Sequence, residues 1–482
     1  MEINSISFLV FFIVALVLYG FHENPDYKQV ALLVINSVFV ASFASSFLNI
    51  APFLIFILIG YASLQIIHGT SHPKRLYVLM ALIIGSFIFL KQFSVIRLLP
   101  NLPFNYMTVG ISYILFRIIH LLVDVHGGVI KKRISLLMYL NYVCFFLNFT
   151  SGPIQRFTDF IRQVSDVGKS ALSQEIVYHA FSRGIRGCLK IIIVSPLLFY
   201  FHSKFLVQFT GSEHIYPIVH LVPLYCGAAV LYVYYLYFNF SGYMDVVIGA
   251  GKLLRIDLPE NFNHPFHASD FLDLWSRWHI TLSEWFKFYV FNPFLKALTS
   301  RWNSSCLEPY FGVAAFFLTF LVMGLWHGTT GIFFFYGLFL GFGVSANKLY
   351  QVLMTKRLGK KNHQHLIHFI PYVYGCRGLT FAYFAIAVTC FWVDVNQLRV
   401  LAQALGLWGV SGALVLLMTT AAGAMYLWDH TTKFVDGFGI VERMLPRGFL
   451  TRTAWLAAEV VFIFCAGPLL DNSVQEFVYK AF

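Results

Sequence analysis

Residues 313–342 contain no Asp, Glu, Lys or Arg, and this run constrains the chain more than any other feature. A helix needs roughly 20 apolar residues to cross a bilayer, and this stretch supplies more. Inside it stands Met323-Gly324-Leu325-Trp326-His327-Gly328. An ionisable side chain at membrane depth is costly and calls for a task or a partner. Imidazole is also the side chain best suited to move protons near neutral pH. Two readings of His327 compete: a working histidine, or a structural one bonded to a carbonyl. Gly324 and Gly328 either let helices approach closely or leave room for a substrate beside the ring.

The same apolar character recurs along the 482 residues, of which 58% are hydrophobic and 12% charged, with a mean hydropathy of +0.71. Soluble domains carry about a quarter charged residues. Apolar blocks lie at 6–19, 30–48, 51–67, 76–90, 107–122, 136–149, 189–205, 221–238, 310–326, 332–349, 379–393, 411–427 and 454–470. They predict an all-α polytopic membrane protein of roughly 11–13 membrane helices, with some of the shorter blocks re-entrant. No Gly/Ser linker divides the chain, so 1–482 reads as one domain. Block 6–19 reads as a retained helix, because residues 1–5 lack a basic residue and 20–23 make a poor cleavage site.

The net charge of +12 does not point to nucleic acid. Basic residues gather in short connections: His72-Pro73-Lys74-Arg75, Lys131-Lys132-Arg133 and Lys356-Arg357-Leu358-Gly359-Lys360-Lys361. Such clusters mark cytoplasmic loops. They predict a multi-pass protein of the cytoplasmic (inner) membrane, in contact with membrane lipid, with an external N-terminus. An odd number of blocks separates Lys131 from Lys356, so one must fail to cross if both lie on one side. The seven cysteines form no CxxC pair and read as small buried hydrophobes. His363, His365 and His368 read as part of a solvated loop, with no metal site expected.

Residues 239–301 differ from plain membrane helix. Asp245 follows a very apolar segment, either as an interfacial helix end, or pairing with Lys252 or Arg255, or holding a catalytic group. Leu258-Pro259-Glu260-Asn261-Phe262-Asn263-His264-Pro265 is irregular backbone, a cavity wall or a surface loop. From Ser269 the pattern turns helical, with Ser269 or Asp270 as cap and Asp273 and Arg277 spaced to pair. Trp278, Leu282 and Trp285 form an apolar stripe that predicts a helix lying on the membrane surface. On such a helix His279 would be a snorkelling residue or a second working imidazole.

Six stretches carry a specific resemblance: Gly110-Ile111-Ser112-Tyr113 with Phe116-Arg117; Ser151-Gly152-Pro153-Ile154-Gln155-Arg156-Phe157; Phe240-Ser241-Gly242-Tyr243-Met244-Asp245; Leu258–Asn263; Trp275-Ser276-Arg277-Trp278-His279 through Phe286; and Gly324–Gly328. In this order they resemble the membrane-bound O-acyltransferases, in the branch of alginate O-acetylases and teichoic-acid D-alanyl transfer proteins. The motif-bearing core is about 110–350. Phe288 stands where that branch carries Asp before Tyr289. The resemblance implies helices around a central funnel, with the active histidine near mid-membrane. It makes His327 and His279 the catalytic pair, with Arg277, Asp273, Asp245, Trp278 and Trp326 as candidates to hold them in place.

Acyl transfer to a hydroxyl needs a base, the role assigned to His327, with His279 polarising the acyl carbonyl or orienting the acceptor. No tightly bound cofactor or metal is expected. The donor would be a thioester of CoA or of a phosphopantetheine carrier protein, drawn to the basic rim. The acceptor would be an extracytoplasmic polysaccharide, by O-acetylation, or an accessory acyltransferase. D-alanyl transfer to teichoic acid, and a non-enzymatic transporter or export component, are the alternatives.

Overall fold

The computed structural model describes residues 5–70, 72–94, 102–165, 172–210, 217–302, 304, 306–437 and 448–470. Apolar runs without water to satisfy their backbone fold as helices, since helices bond all interior N–H and C=O groups within the segment. The order is α1 (Ile6–Gly20), α2 (Pro25–Ala41), α3 (Phe47–Ile67), α4 (Pro73–Lys91), α5 (Ile111–His126), α6 (Leu136–Val143), α7 (Phe157–Ser165), α8 (Gln174–Leu189) and α9 (Ser195–Thr210). Then come α10 (Ile218–Leu253), α11 (Phe271–Arg277), α12 (Ile280–Phe286), α13 (Asn292–Arg301), α14 (Glu308–Trp326), α15 (Ile332–Leu366), α16 (Ile370–Val388), α17 (Val395–Gly437) and α18 (Phe449–Leu470). A π turn, Lys190–Val194, joins α8 to α9.

Among the described residues nine helices are long and apolar enough to cross a membrane. Ile6–Gly20 and Leu136–Asn148 are shorter apolar helices, and the lower end of the expected range is reached only by including them. The protein is an all-α, multi-pass membrane protein.

Long-range contacts sort the helix ends into two sets. The His68 ring meets the Lys131 carbonyl at 3.1 Å, so the first two basic clusters share an end of the bundle. The Ser94 amide and hydroxyl, beyond the far end of α4, donate to the Thr329 carbonyl. Chain 329–331 is therefore at the opposite end, and α15 runs back from it to bring 356–361 to the end of Lys74. The odd block between Lys131 and Lys356 is 136–149. It starts beside Gln65, whose amide donates to Ile134 O. It climbs until Phe149 stacks on Phe43 and meets Phe53 edge-on. It then returns as extended chain, so that Gln155 donates to Asp257 O. This is a re-entrant hairpin.

Arg117, 1% exposed, bolts that hairpin. Its guanidinium donates to the carbonyls of Tyr142, Val143 and Asn148 and to Asn148 Oδ1. Those carbonyls lie where α6 ends and a 3-10 turn (Phe146–Asn148) follows, the place where a helix leaves acceptors unfilled.

Several sequence expectations are corrected. Asp245 does not end a helix, because α10 continues to Leu253. It pairs with neither Lys252 nor Arg255, which bind Asp257 and Glu23. The segment 356–361 is helical, continuing α15 across a kink at Gly359, and His363 and His365 lie in that helix. Cys144, Cys226 and Cys390 are buried as expected, but Cys306 and Cys465 are exposed.

Candidate active site

The stretch expected as one surface helix is two short helices, α11 and α12, sunk into the protein. Trp275, Trp278, Leu282 and Trp285 are all buried. The chain breaks between them at His279, which adopts φ 47°, ψ 50°. A non-glycine residue in this left-handed region is uncommon and marks a position held by its surroundings. The snorkelling reading of His279 fails, since the residue is 1% exposed.

Asn261 holds this break. Its Oδ1 accepts from the Thr281 amide at 3.0 Å and the Thr281 hydroxyl at 2.9 Å. Its carbonyl accepts from the Ile280 amide, and the Asn263 amide donates to Arg277 O. Phe262 and Trp278 form an antiparallel bridge. The irregular 258–265 segment is thus partly buried and held by these bonds: Leu258, Asn261 and Pro265 are buried, while Glu260, Asn263 and His264 stay exposed. The Ser151-Gly152-Pro153 segment joins through Ile154 N–H, which donates to Thr281 Oγ1 at 3.1 Å. The Phe240 ring packs edge-on against the His279 ring at 4.8 Å.

His327 caps the end of α14 and is 3% exposed. Its Nδ1 lies 2.7 Å from the Met323 carbonyl. A carbonyl only accepts, so the neutral ring carries its proton on Nδ1 and Nε2 is the basic nitrogen. The rings of Trp326, Tyr336 and Phe391 pack on it at 5.0, 5.3 and 5.8 Å. A Cβ on Gly324 would strike the Gly337 backbone of α15, and one on Gly328 would strike the Phe333 ring. These glycines serve close packing rather than an open space. Both imidazoles are buried, His279 at the break between α11 and α12 and His327 at the end of α14.

The other expected residues divide. Trp326 packs between His327 and the α5 rings of Tyr113 and Phe116, edge-on to His327 and Tyr113 and tilted on Phe116, and Trp278 packs on Phe262 and Phe384. Of the two, Trp326 lies against an imidazole, that of His327. Asp273 and Arg277 pair at 2.8 Å on α11, directed at that helix and its cap. Burial pushes the Asp273 carboxyl up, but the Ser269 amide, Arg277 and Ser276 outweigh it and hold it below the ordinary carboxylate range. Asp245 binds Arg183 and Lys190 at 2.9 and 2.6 Å, and Arg183 also grips Glu260 with both terminal nitrogens at 2.6 Å. This network ties the 258–265 segment to α8 and α10 rather than touching the imidazoles. Sequence reasoning missed Asn261 as the organiser; two asparagines in an irregular stretch were the available signal.

A family model for MBOAT, the membrane-bound O-acyltransferase family, matches residues 126–390, and the chain belongs to that family. It is 29% identical over 264 residues to the teichoic acid D-alanyltransferase of Bacillus subtilis (strain 168), covering 53% of this chain and 64% of that protein. With a protein of Pseudomonas fluorescens named "Probable alginate O-acetylase AlgI" it shares 24% over 368 residues, 72% of this chain and 66% of the relative. With the peptidoglycan O-acetyltransferase of Helicobacter pylori (strain ATCC 700392 / 26695) it shares 30% over 213 residues, 44% and 37%. Matched length thus stays below two thirds of the Bacillus and Helicobacter proteins.

Proposed function

We propose that the protein is a membrane-embedded O-acyltransferase of the cytoplasmic membrane. It would pass an acetyl group from a cytoplasmic thioester, of CoA or a phosphopantetheine carrier, to a hydroxyl of an extracytoplasmic polysaccharide or an accessory acyltransferase. The observation that carries this reading is the burial of two imidazoles, His279 and His327, on separately held segments, one in a left-handed backbone position and the other fixed through Nδ1.

In this mechanism His327 Nε2 takes the proton of the acceptor hydroxyl as its oxygen attacks the thioester carbonyl. His279 donates a hydrogen bond to the oxygen that becomes negative. The C–O bond forms, the C–S bond breaks, and the departing thiolate recovers the proton from His327. Both imidazoles are closed off from solvent by their neighbours. Exclusion of water protects the thioester from hydrolysis.

A second reading, D-alanyl transfer, has support in the name of the Bacillus relative. Membranes containing the protein, given labelled acetyl-CoA or a D-alanyl carrier thioester, separate the two. Label in envelope polymer from the acetyl donor alone is expected. Label from the D-alanyl donor alone replaces acetyl by aminoacyl transfer, and label from neither overturns the proposal.

A further inference from the structure

Away from the histidine pair, a long groove follows the outer side of α14 and α15. Its mouth is lined by Cys306, Tyr310, Lys348, Gln351, Lys356 and His363 among others, a recess of about 590 Å³. Tyr310 also lines the continuation, walled by Phe294, Val313, Ala314, Phe317 and Leu318, with about 580 Å³. Both are partly open to the surroundings. The mouth lies at the basic end of the bundle, and the apolar part runs from there along α14 toward the other end.

We propose that this groove is a binding site for an anionic glycerophospholipid, its phosphate between Lys348 and Lys356 and one acyl chain along Val313, Phe317 and Leu318. Charge supports that occupant. The mouth has two ammonium groups and an imidazole and no carboxylate among its lining residues. No described carboxylate pairs with Lys348 or Lys356. Gln351 is already engaged, donating to Asp270. Lys348 is half-buried and its stem lies over Gly312 of α14. A half-buried ammonium gains most from a partner of opposite charge, and basic recesses between helices at the cytoplasmic side recruit anionic headgroups. The apolar continuation excludes a free anion as the best fit, because only an amphiphile fills both parts. Such a lipid would brace α13 against α14, the helix that ends in His327.

The test is native mass spectrometry of the full chain released from nanodiscs of equal phosphatidylglycerol and phosphatidylcholine. Wild type is expected to retain phosphatidylglycerol over phosphatidylcholine roughly thirtyfold, the scale of two lysines facing one headgroup. The Lys348→Gln/Lys356→Gln double variant should lose that preference. Lys348→Arg/Lys356→Arg should keep it, which separates lost charge from lost fold. Equal retention of both lipids by wild type, or an unchanged preference in the Gln double variant, overturns the site.

Discussion

At the residue scale the account rests on side chains that set the geometry of others. Asn261 fixes Thr281 and Ile280, next to His279. Replacing it with Ala leaves two buried donors on Thr281 without their acceptor, a cost of about 1–3 kcal/mol each. Asn261→Ala is expected to lower acyl transfer about 10–100-fold, the scale seen when a supporting partner is lost. Size-exclusion chromatography should still show folded protein. Activity equal to wild type in that variant removes Asn261 from the site. His327 was legible in the sequence because no charge surrounds it for thirty positions. Asn261 was not, since its role depends on a bridge between residues 262 and 278 that no local pattern announces.

At the scale of elements, two packing devices position the site. Arg117 fills the acceptors of the re-entrant hairpin, and Gly324 lets α14 lie against Gly337 of α15. Arg117→Met leaves several buried carbonyls unfilled and is expected to destabilise by at least about 3 kcal/mol. Arg117→Lys should restore only part of this, because an ammonium lacks the planar fork. Melting of detergent-solubilised protein measures both, and an Arg117→Met protein as stable as wild type contradicts the bolt. Gly324→Ala should force the helices apart and cost about 1–3 kcal/mol, with activity falling as His327 shifts. That one block between Lys131 and Lys356 fails to cross was legible from the basic clusters; which block was not, because Leu136–Asn148 is itself an apolar helix and the arginine that fastens it comes from another helix. Likewise Asp245 looks in sequence to Lys252 and Arg255, yet binds Arg183, 62 positions earlier.

At the scale of the whole molecule, alternating helices place the three basic clusters at one end. Helix existence was readable from apolar blocks; the even number of crossings between Lys131 and Lys356 needed the hairpin. Single cysteines placed at Lys74 and at Lys356, in a background without exposed Cys306 and Cys465, should react with an impermeant thiol reagent from the same side. A cysteine at Thr329 should react from the other. Opposite labelling of the first two would falsify the arrangement.

The central claim is that His327 carries acyl transfer. The most direct measurement reconstitutes wild type and His327→Ala in vesicles and follows labelled acetyl from thioester to acceptor hydroxyl. Wild type is predicted to transfer label, with His327→Ala slower by about 10²–10⁴-fold, the range for loss of a general base, while inserted and folded as wild type. A folded His327→Ala protein that transfers acetyl at the wild-type rate would make His327 a structural histidine, and the proposed mechanism would be wrong.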